Sequence, residues 1–313
     1  MKIAIIGAGA FGTAMAHVLS KNNHNIKIYD SNENLYKKIL NIFEFSDIIT
    51  PVNDIASVVF DADFIFLCCP SGVIEDVLKS LKPFLKETAI IVNAAKGILK
   101  DSNSTISQLK EIILDSNIKF CSLYGPSHAE EILLDMPTKV IASSKEIETS
   151  QRVKNLMENE TFFVGLSTDV FGVEFCGTIK NTISIGIGLL EGLGFKENTK
   201  SIFITNCLLN LLQISKQLKI EATTIYGLSG LGDILATSYS KYSRNKNFGI
   251  LISRGFDIEE AKTEVDATIE GIINTESVYK FLKTKNIKCK FIDYIYQIIF
   301  EDANPNIILD LIK

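Results

Sequence analysis

Two lysines and an arginine stand where ordinary packing would not put them. Lys180 lies in Gly177-Thr178-Ile179-Lys180-Asn181, inside a run that is otherwise apolar or small. An ammonium in such surroundings is costly unless it is paired or put to use in proton transfer. The alternative is a lysine that reaches out of its helix to water. Gly177, Gly186 and Gly188 argue against an ordinary exposed helix, because each weakens it by roughly 1 kcal/mol relative to alanine. Close approach of another backbone, or of a cofactor, would explain them. Lys96 sits in Asn93-Ala94-Ala95-Lys96-Gly97, just after an apolar strand signal. It suits an anion or hydroxyl contact, or else a surface turn. Arg244 follows Ser243, which can cap the helical run 248–253. An arginine at a helix start is a sound site for a phosphate monoester. The stretch Gly227-Leu228-Ser229-Gly230-Leu231-Gly232-Asp233 supplies a carboxylate, Asp233, able to pair with and orient a lysine. A plain glycine-rich loop beside an exposed arginine is the other reading.

A second chemistry is written at the N-terminus. Gly7, Gly9 and Gly12 form Gly-x-Gly-x-x-Gly directly after the apolar run Ile3–Ile6 and before the helix-forming stretch Thr13–Leu19. That arrangement holds a pyrophosphate. The first glycine permits a tight turn, the second lets backbone approach the phosphates, and the third lets helix and strand pack closely. Asp30 ends the next strand signal, Ile26–Tyr29. A carboxylate there bonds a ribose 2′-hydroxyl and repels a 2′-phosphate, which favours NAD over NADP. The stretch Tyr124-Gly125-Pro126-Ser127-His128-Ala129 also follows a strand signal and opens a helix. Ser127 is a credible N-cap there. The stretch brings amides and a hydroxyl to the sheet edge, or is an ordinary capped turn.

The elements that must position these groups change character along the chain. Strand signals at Lys2–Ile6, Asn25–Asp30, Asp63–Cys68, Ala89–Val92, Lys119–Leu123 and Lys139–Ala142 alternate with helical stretches. The helical stretches are Gly12–Lys21, Asn32–Leu40, Val73–Leu81, Ser104–Leu114 and Ile147–Met157, and a last run, Thr161–Val164, closes the domain. Alternation of this kind predicts an α/β, Rossmann-like doubly wound, mostly parallel sheet over residues 1–168. From 169 to 313 strand signals fade. Periodic apolar segments at about 172–190, 199–219, 244–254, 257–264 and 272–283 predict an all-α C-terminal domain. A ligand site in the cleft between two such domains is the general expectation.

Composition narrows the class. The 313 residues are 46% hydrophobic and 22% charged, as in ordinary globular proteins. A net charge of −5 without a basic run gives no reason to expect nucleic acid or an anionic membrane as partner. The run Ile202–Ile214 is interrupted by Asn206, Asn210 and Gln213, so no membrane span is expected. The strand signal at Lys2 leaves no room for a signal peptide ahead of it. Cys68, Cys69, Cys121, Cys176, Cys207 and Cys289 have no metal spacing, and histidine is limited to His17, His24 and His128. Reduced thiols, no metal and a cytoplasmic location follow as expectations.

Taken in order, the motifs resemble the bacterial NAD(P)-dependent glycerol-3-phosphate dehydrogenases over nearly the whole chain. They are Gly-Ala-Gly-Ala-Phe-Gly-Thr-Ala at 7–14, Cys-Pro-Ser at 69–71, Ala-Lys-Gly at 95–97 and Gly-Pro-Ser at 125–127. Ile-Lys-Asn at 179–181, Gly-Leu-Gly-Phe-x-x-Asn at 192–198, Gly-Leu-Gly-Asp at 230–233, Ser-Arg-Asn at 243–245 and Ile-Glu-Gly at 269–271 follow. The resemblance implies interconversion of dihydroxyacetone phosphate and sn-glycerol 3-phosphate for phospholipid synthesis, with Lys180 as acid/base. It implies substrate contacts at Lys96, Gly125, Ser127, Lys180, Asp233, Ser243, Arg244 and Asn245. Cofactor contacts are implied at Gly7, Gly9, Ala10, Phe11, Gly12, Asp30, Lys96, Ala129, Arg244, Thr268 and Glu270, for NAD or NADP. The partner is a small phosphorylated substrate, and a homodimer is compatible with the sequence.

Two stretches depart from the family pattern. The segment Leu40–Asp47 is shortened where the family carries an Asn-x-x-Tyr-Leu-Pro-Gly-like loop, and Tyr29-Asp30-Ser31-Asn32 lacks the basic residue that would suit a 2′-phosphate. The rival readings are another oxidoreductase on the same plan and a nucleotide sensor without turnover. Ser-Arg-Asn and Gly-Leu-Gly-Asp argue against the first. Retention of Lys96, Lys180 and Arg244 argues against the second.

Overall fold

A computed structural model describes residues 1–42, 47–99, 102–240, 243–265 and 269–313. Residues 43–46 of the shortened region lie outside the described residues. Contacts divide the chain into two units. One is Met1–Lys96 with Ile106–Val173; the other is Gly97–Thr105 with Glu174–Lys313. The division falls inside the helix Val170–Gly192, a few residues beyond the predicted boundary. Gly97–Thr105 joins the second unit because it packs on the helix Glu270–Thr284, a long-range contact invisible to local pattern.

The strands are β1 (Lys2–Ile6), β2 (Asn25–Tyr29), β3 (Ile49–Pro51), β4 (Phe64–Leu67), β5 (Ile90–Asn93), β6 (Ile98–Leu99), β7 (Ser104–Thr105), β8 (Lys119–Tyr124), β9 (Thr138–Ser143) and β10 (Phe162–Ser167). Eight form one sheet in the order β10-β9-β8-β5-β4-β1-β2-β3. Every neighbouring pair is parallel except β8 against β9. The central strands β4 and β5 are buried at every position. Helices cover both faces of such strands, which is why they read as continuous apolar runs rather than alternating ones. The helix Ala10–Lys21 sends Ala14, Met15, Val18 and Leu19 into the same core as Ile3, Ile5, Phe64 and Val92.

Short elements account for the differences from the sequence reading. β3 and the helix Ile55–Val59 occupy a stretch without a long periodic signal. That helix starts on a side-chain cap, with Asp54 accepting from the Ser57 amide at 2.7 Å. Ser104 and Thr105 pair with β6 as β7, so the helix predicted from 104 begins at Ile106.

The second unit is helical apart from the β6–β7 pair. Its central helix is Val170–Gly192, where Ile183, Ile185 and Ile187 are no more than 2% exposed. Gly186 and Gly188 are explained by close packing. A Cβ on Gly188 would lie 2.0 Å from the Lys246 carbonyl oxygen, and one on Gly249 would lie 2.2 Å from that of Ile185. The helix Arg244–Ser253 thus crosses the central helix backbone against backbone. Each glycine costs about 1 kcal/mol of helix propensity. Each isoleucine buried beside it contributes roughly 2 kcal/mol, so the close crossing wins. The helix Lys290–Phe300, outside the segments noted from the sequence, buries Phe291, Ile292, Ile295, Ile298 and Ile299, one face of a helix.

Candidate active site

In the first unit the predicted residues lie at the carboxyl ends of parallel strands. Gly7 follows β1 and adopts φ +101°, a backbone conformation open to glycine. A Cβ there would meet the Cys68–Cys69 peptide at 2.7 Å. Gly12 brings helix and turn together, since its Cβ would fall 1.8 Å from the Gly7 carbonyl oxygen. Gly9 is the N-cap of Ala10–Lys21, and a Cβ on it would meet no atom within 4 Å. The Thr13 amide closes the first helical bond, to the Gly9 carbonyl at 3.0 Å. The amides of Ala10, Phe11 and Gly12 precede it and are the orphan donors of the helix start. Open space before orphan amides at a positive helix end suits a pyrophosphate.

The Asp30 carboxylate is tied to this turn. Its Oδ2 accepts from the Ala8 amide at 2.6 Å and its Oδ1 from the Asn32 amide at 2.8 Å. Each oxygen keeps a lone pair for a ribose hydroxyl. Burial pushes the Cys68 thiol up and the Cys69 thiol to about 11. Both stay neutral near pH 7, so neither adds negative charge beside the turn.

Lys96 follows β5, with its ammonium 5.6 Å from the centroid of the Tyr124 ring. Gly125 follows β8, and a Cβ on it would lie 2.9 Å from the Val140 Cα. Ser127 does not cap the next helix. Its hydroxyl turns back to donate to the Gly125 carbonyl at 2.9 Å, and His128 holds the N-cap position of Ala129–Leu133. Ala129 is the first residue of that helix.

In the second unit Lys180 is paired. Its Nζ donates to Asp233 Oδ1 at 2.8 Å and to Thr237 Oγ1 at 2.9 Å. The Lys180 side chain keeps 13% of its exposure while Asp233 keeps 2%, so the carboxylate is buried and the lysine retains some access to solvent. Asp233 and Thr237 stand one turn apart on the helix Asp233–Tyr239 and therefore share a face. Thr237 is a site residue that the sequence reading missed; its i+4 spacing from Asp233 was the available signal.

Next to Lys180, the Asn181 Oδ1 accepts from Asn245 Nδ2 at 2.9 Å, and the Asn245 Oδ1 accepts from the Gly271 amide at 2.8 Å. Asn181 Nδ2 also donates to Glu270 Oε2 at 3.3 Å. Ser243 caps Arg244–Ser253 by accepting from the Lys246 amide, and its hydroxyl bonds that of Ser184 at 2.8 Å. Asp233, Ser243 and Asn245 are thus buried with side chains already engaged. Arg244, the first residue of its helix, is exposed and has no ion-pair partner among the described residues. Thr268 lies outside the described residues. In the second unit Lys180 bonds Asp233, its chain neighbour Asn181 bonds Asn245 and Glu270, and Ser243 bonds Ser184. The structure places Gly7, Gly9, Gly12, Asp30, Lys96 and Gly125 along one edge of the sheet.

A doubly wound sheet with a glycine turn, joined in one chain to a helical unit that carries a carboxylate-held lysine, defines a nicotinamide-dependent dehydrogenase. Residues 2–150 match the N-terminal model of NAD-dependent glycerol-3-phosphate dehydrogenase, and residues 169–310 match its C-terminal model. The chain belongs to this family. The glycerol-3-phosphate dehydrogenase [NAD(P)+] of Fusobacterium nucleatum is 35% identical over 314 residues, covering 97% of this chain and 94% of that one. That of Clostridium tetani is 33% identical, covering 96% and 89%. The crystal structure of glycerol-3-phosphate dehydrogenase from Coxiella burnetii superposes with a TM-score of 0.92 at 25% identity, over 98% of this chain and 97% of that one. Among the described residues no helix is long and apolar enough to cross a membrane.

Proposed function

We propose that this chain interconverts dihydroxyacetone phosphate and sn-glycerol 3-phosphate with NAD(P), and that Lys180 is the acid/base. The two bonds on Lys180 carry this reading. An ammonium has three donors. Asp233 takes one and Thr237 another, which leaves one N–H for a substrate oxygen. A reduced nicotinamide, when bound, would supply the hydride for C2 of dihydroxyacetone phosphate and leave oxidised. Lys180 stabilises the negative charge growing on the C2 oxygen and then gives it a proton. In the oxidative direction it takes the proton back. Asp233 holds the ammonium in place and offsets part of its charge. Asn245 and Ser243 fix the start of the helix that presents Arg244, which binds the phosphate. Lys96 adds positive charge toward the substrate, with Gly125 and Ser127 beside it.

Gly7, Gly9, Ala10, Phe11, Gly12 and Ala129 hold the cofactor backbone, and Asp30 selects NAD. The ratio of kcat/KM for NADH to that for NADPH tests this selection: a value above one is expected, and an NADPH preference overturns it. All six cysteines are free, which accords with a reducing cytoplasm, where the product feeds glycerophospholipid synthesis. The deciding experiment is NADH oxidation by purified protein with and without dihydroxyacetone phosphate. Oxidation dependent on that substrate, and lowered about a thousandfold in Lys180→Ala, is expected. Equal turnover in Lys180→Ala overturns the assignment.

A further inference from the structure

We propose that Tyr124 and Asn93 are positioning residues for Lys96, fixing both the root and the tip of its side chain. The proposal rests on the reading of Lys96 as a substrate contact. Asn93 ends β5 and Tyr124 ends the neighbouring strand β8. Both are fully buried. The Asn93 amide binds Ala95 twice: Oδ1 accepts from its N–H at 3.1 Å, and Nδ2 donates to its carbonyl at 3.1 Å. Nδ2 also donates to the Tyr124 hydroxyl at 2.9 Å, and that hydroxyl donates to the same Ala95 carbonyl.

The Ala95 carbonyl belongs to the peptide that joins Ala95 to Lys96. Two buried side chains therefore clamp the bond from which Lys96 departs. The ring of Tyr124 lies under the Lys96 ammonium at 5.6 Å, within cation–π range. One tyrosine thus serves twice, through its hydroxyl at the backbone and through its ring at the charge. A phenylalanine would keep the ring and leave the buried carbonyl and the Asn93 amide each one partner short, a loss that buried groups feel strongly. Packing alone needs no hydroxyl at this position.

Steady-state kinetics and lysine NMR test the proposal on the intact protein. Tyr124→Phe is expected to raise KM for dihydroxyacetone phosphate about tenfold with a smaller change in kcat. In a Lys96→Ala background the same substitution is expected to change KM no further, because its effect passes through Lys96. An undiminished KM effect in that background overturns the positioning role and leaves a structural one. Reductive methylation with 13C-formaldehyde gives each lysine a methyl signal, and loss in Lys96→Ala assigns that of Lys96. Its shift is expected to lie upfield, to persist largely in Tyr124→Phe and to collapse to the exposed-lysine value in Tyr124→Leu. An unchanged signal in Tyr124→Leu overturns the ring contact. If the signal behaves as expected while Lys96→Ala leaves KM unaltered, the substrate role of Lys96 fails and its positioning by Tyr124 stands.

Discussion

The glycine turn of the first unit and the lysine cluster of the second are assembled in opposite ways. The turn is made by residues 7–12, and its properties reside in backbone: a positive φ at Gly7, contact at Gly12, and open space at Gly9. The lysine cluster gathers side chains from distant positions, Lys180 with Asp233 and Thr237, and Asn181 with Asn245 and Glu270. A backbone site needs residues that lack side chains. A side-chain site needs residues whose neighbours hold them. Substitution should therefore damage the two in different measurable quantities.

The largest effect is expected at Lys180. Lys180→Ala should lower kcat by about a thousandfold while NADH still quenches or enhances fluorescence with near-normal affinity. Loss of NADH binding in this variant would break the division of labour between the units. Gly12→Ala should do the reverse. Its methyl would collide with the Gly7 carbonyl, so NADH affinity should fall and unfolding free energy drop by about 3 kcal/mol, as read by NADH titration and urea unfolding. Unchanged affinity would refute the close-packing role. Thr237→Val removes one acceptor from the Lys180 ammonium and should cost about tenfold in kcat. A change in KM alone would place Thr237 outside the proton-transfer apparatus.

The smallest effect sharpens the contrast between a buried lysine bonded to a carboxylate and one bonded only to a backbone carbonyl. Lys110, 4% exposed, meets the Asp115 carbonyl at 3.3 Å. Burial holds its ammonium below the ordinary lysine range. Below the folded pKa the protein bears the full penalty of the buried charge. Between the folded and unfolded values the unfolded chain binds more protons, so stability rises with pH. Lys110→Met is expected to raise the urea midpoint near pH 7, by a margin that shrinks as pH climbs through that alkaline window. A margin independent of pH would mean that the gain comes from packing.

The same contrast explains what was legible. The mostly parallel sheet could be read from the alternation of strand and helix signals, and the glycine turn from three spacings. β3 and β7, at three and two residues, are too short to carry a period. The Ser127 cap is not decided by residue type, because a hydroxyl can bond forward to the helix amides or back to a carbonyl, and here it bonds the Gly125 carbonyl. Lys180 stood out as a cation in an apolar run, and the only local sign of Thr237 was its i+4 spacing from Asp233, while the Ser184 bond to Ser243 joins positions 59 residues apart.

By itself, the sequence determined the alternating sheet, the glycine turn and the identity of the charged residues, because these depend on spacing along a few turns or one strand. Only the tertiary structure decided that Thr237 joins Asp233 on the Lys180 ammonium, that Gly97–Thr105 packs with the second unit, and that Tyr124 reaches beneath Lys96. Those pairings depend on which helix crosses which and at what distance. Glycines such as Gly188 and Gly249 permit the crossing, but only the packed core of the whole unit selects it.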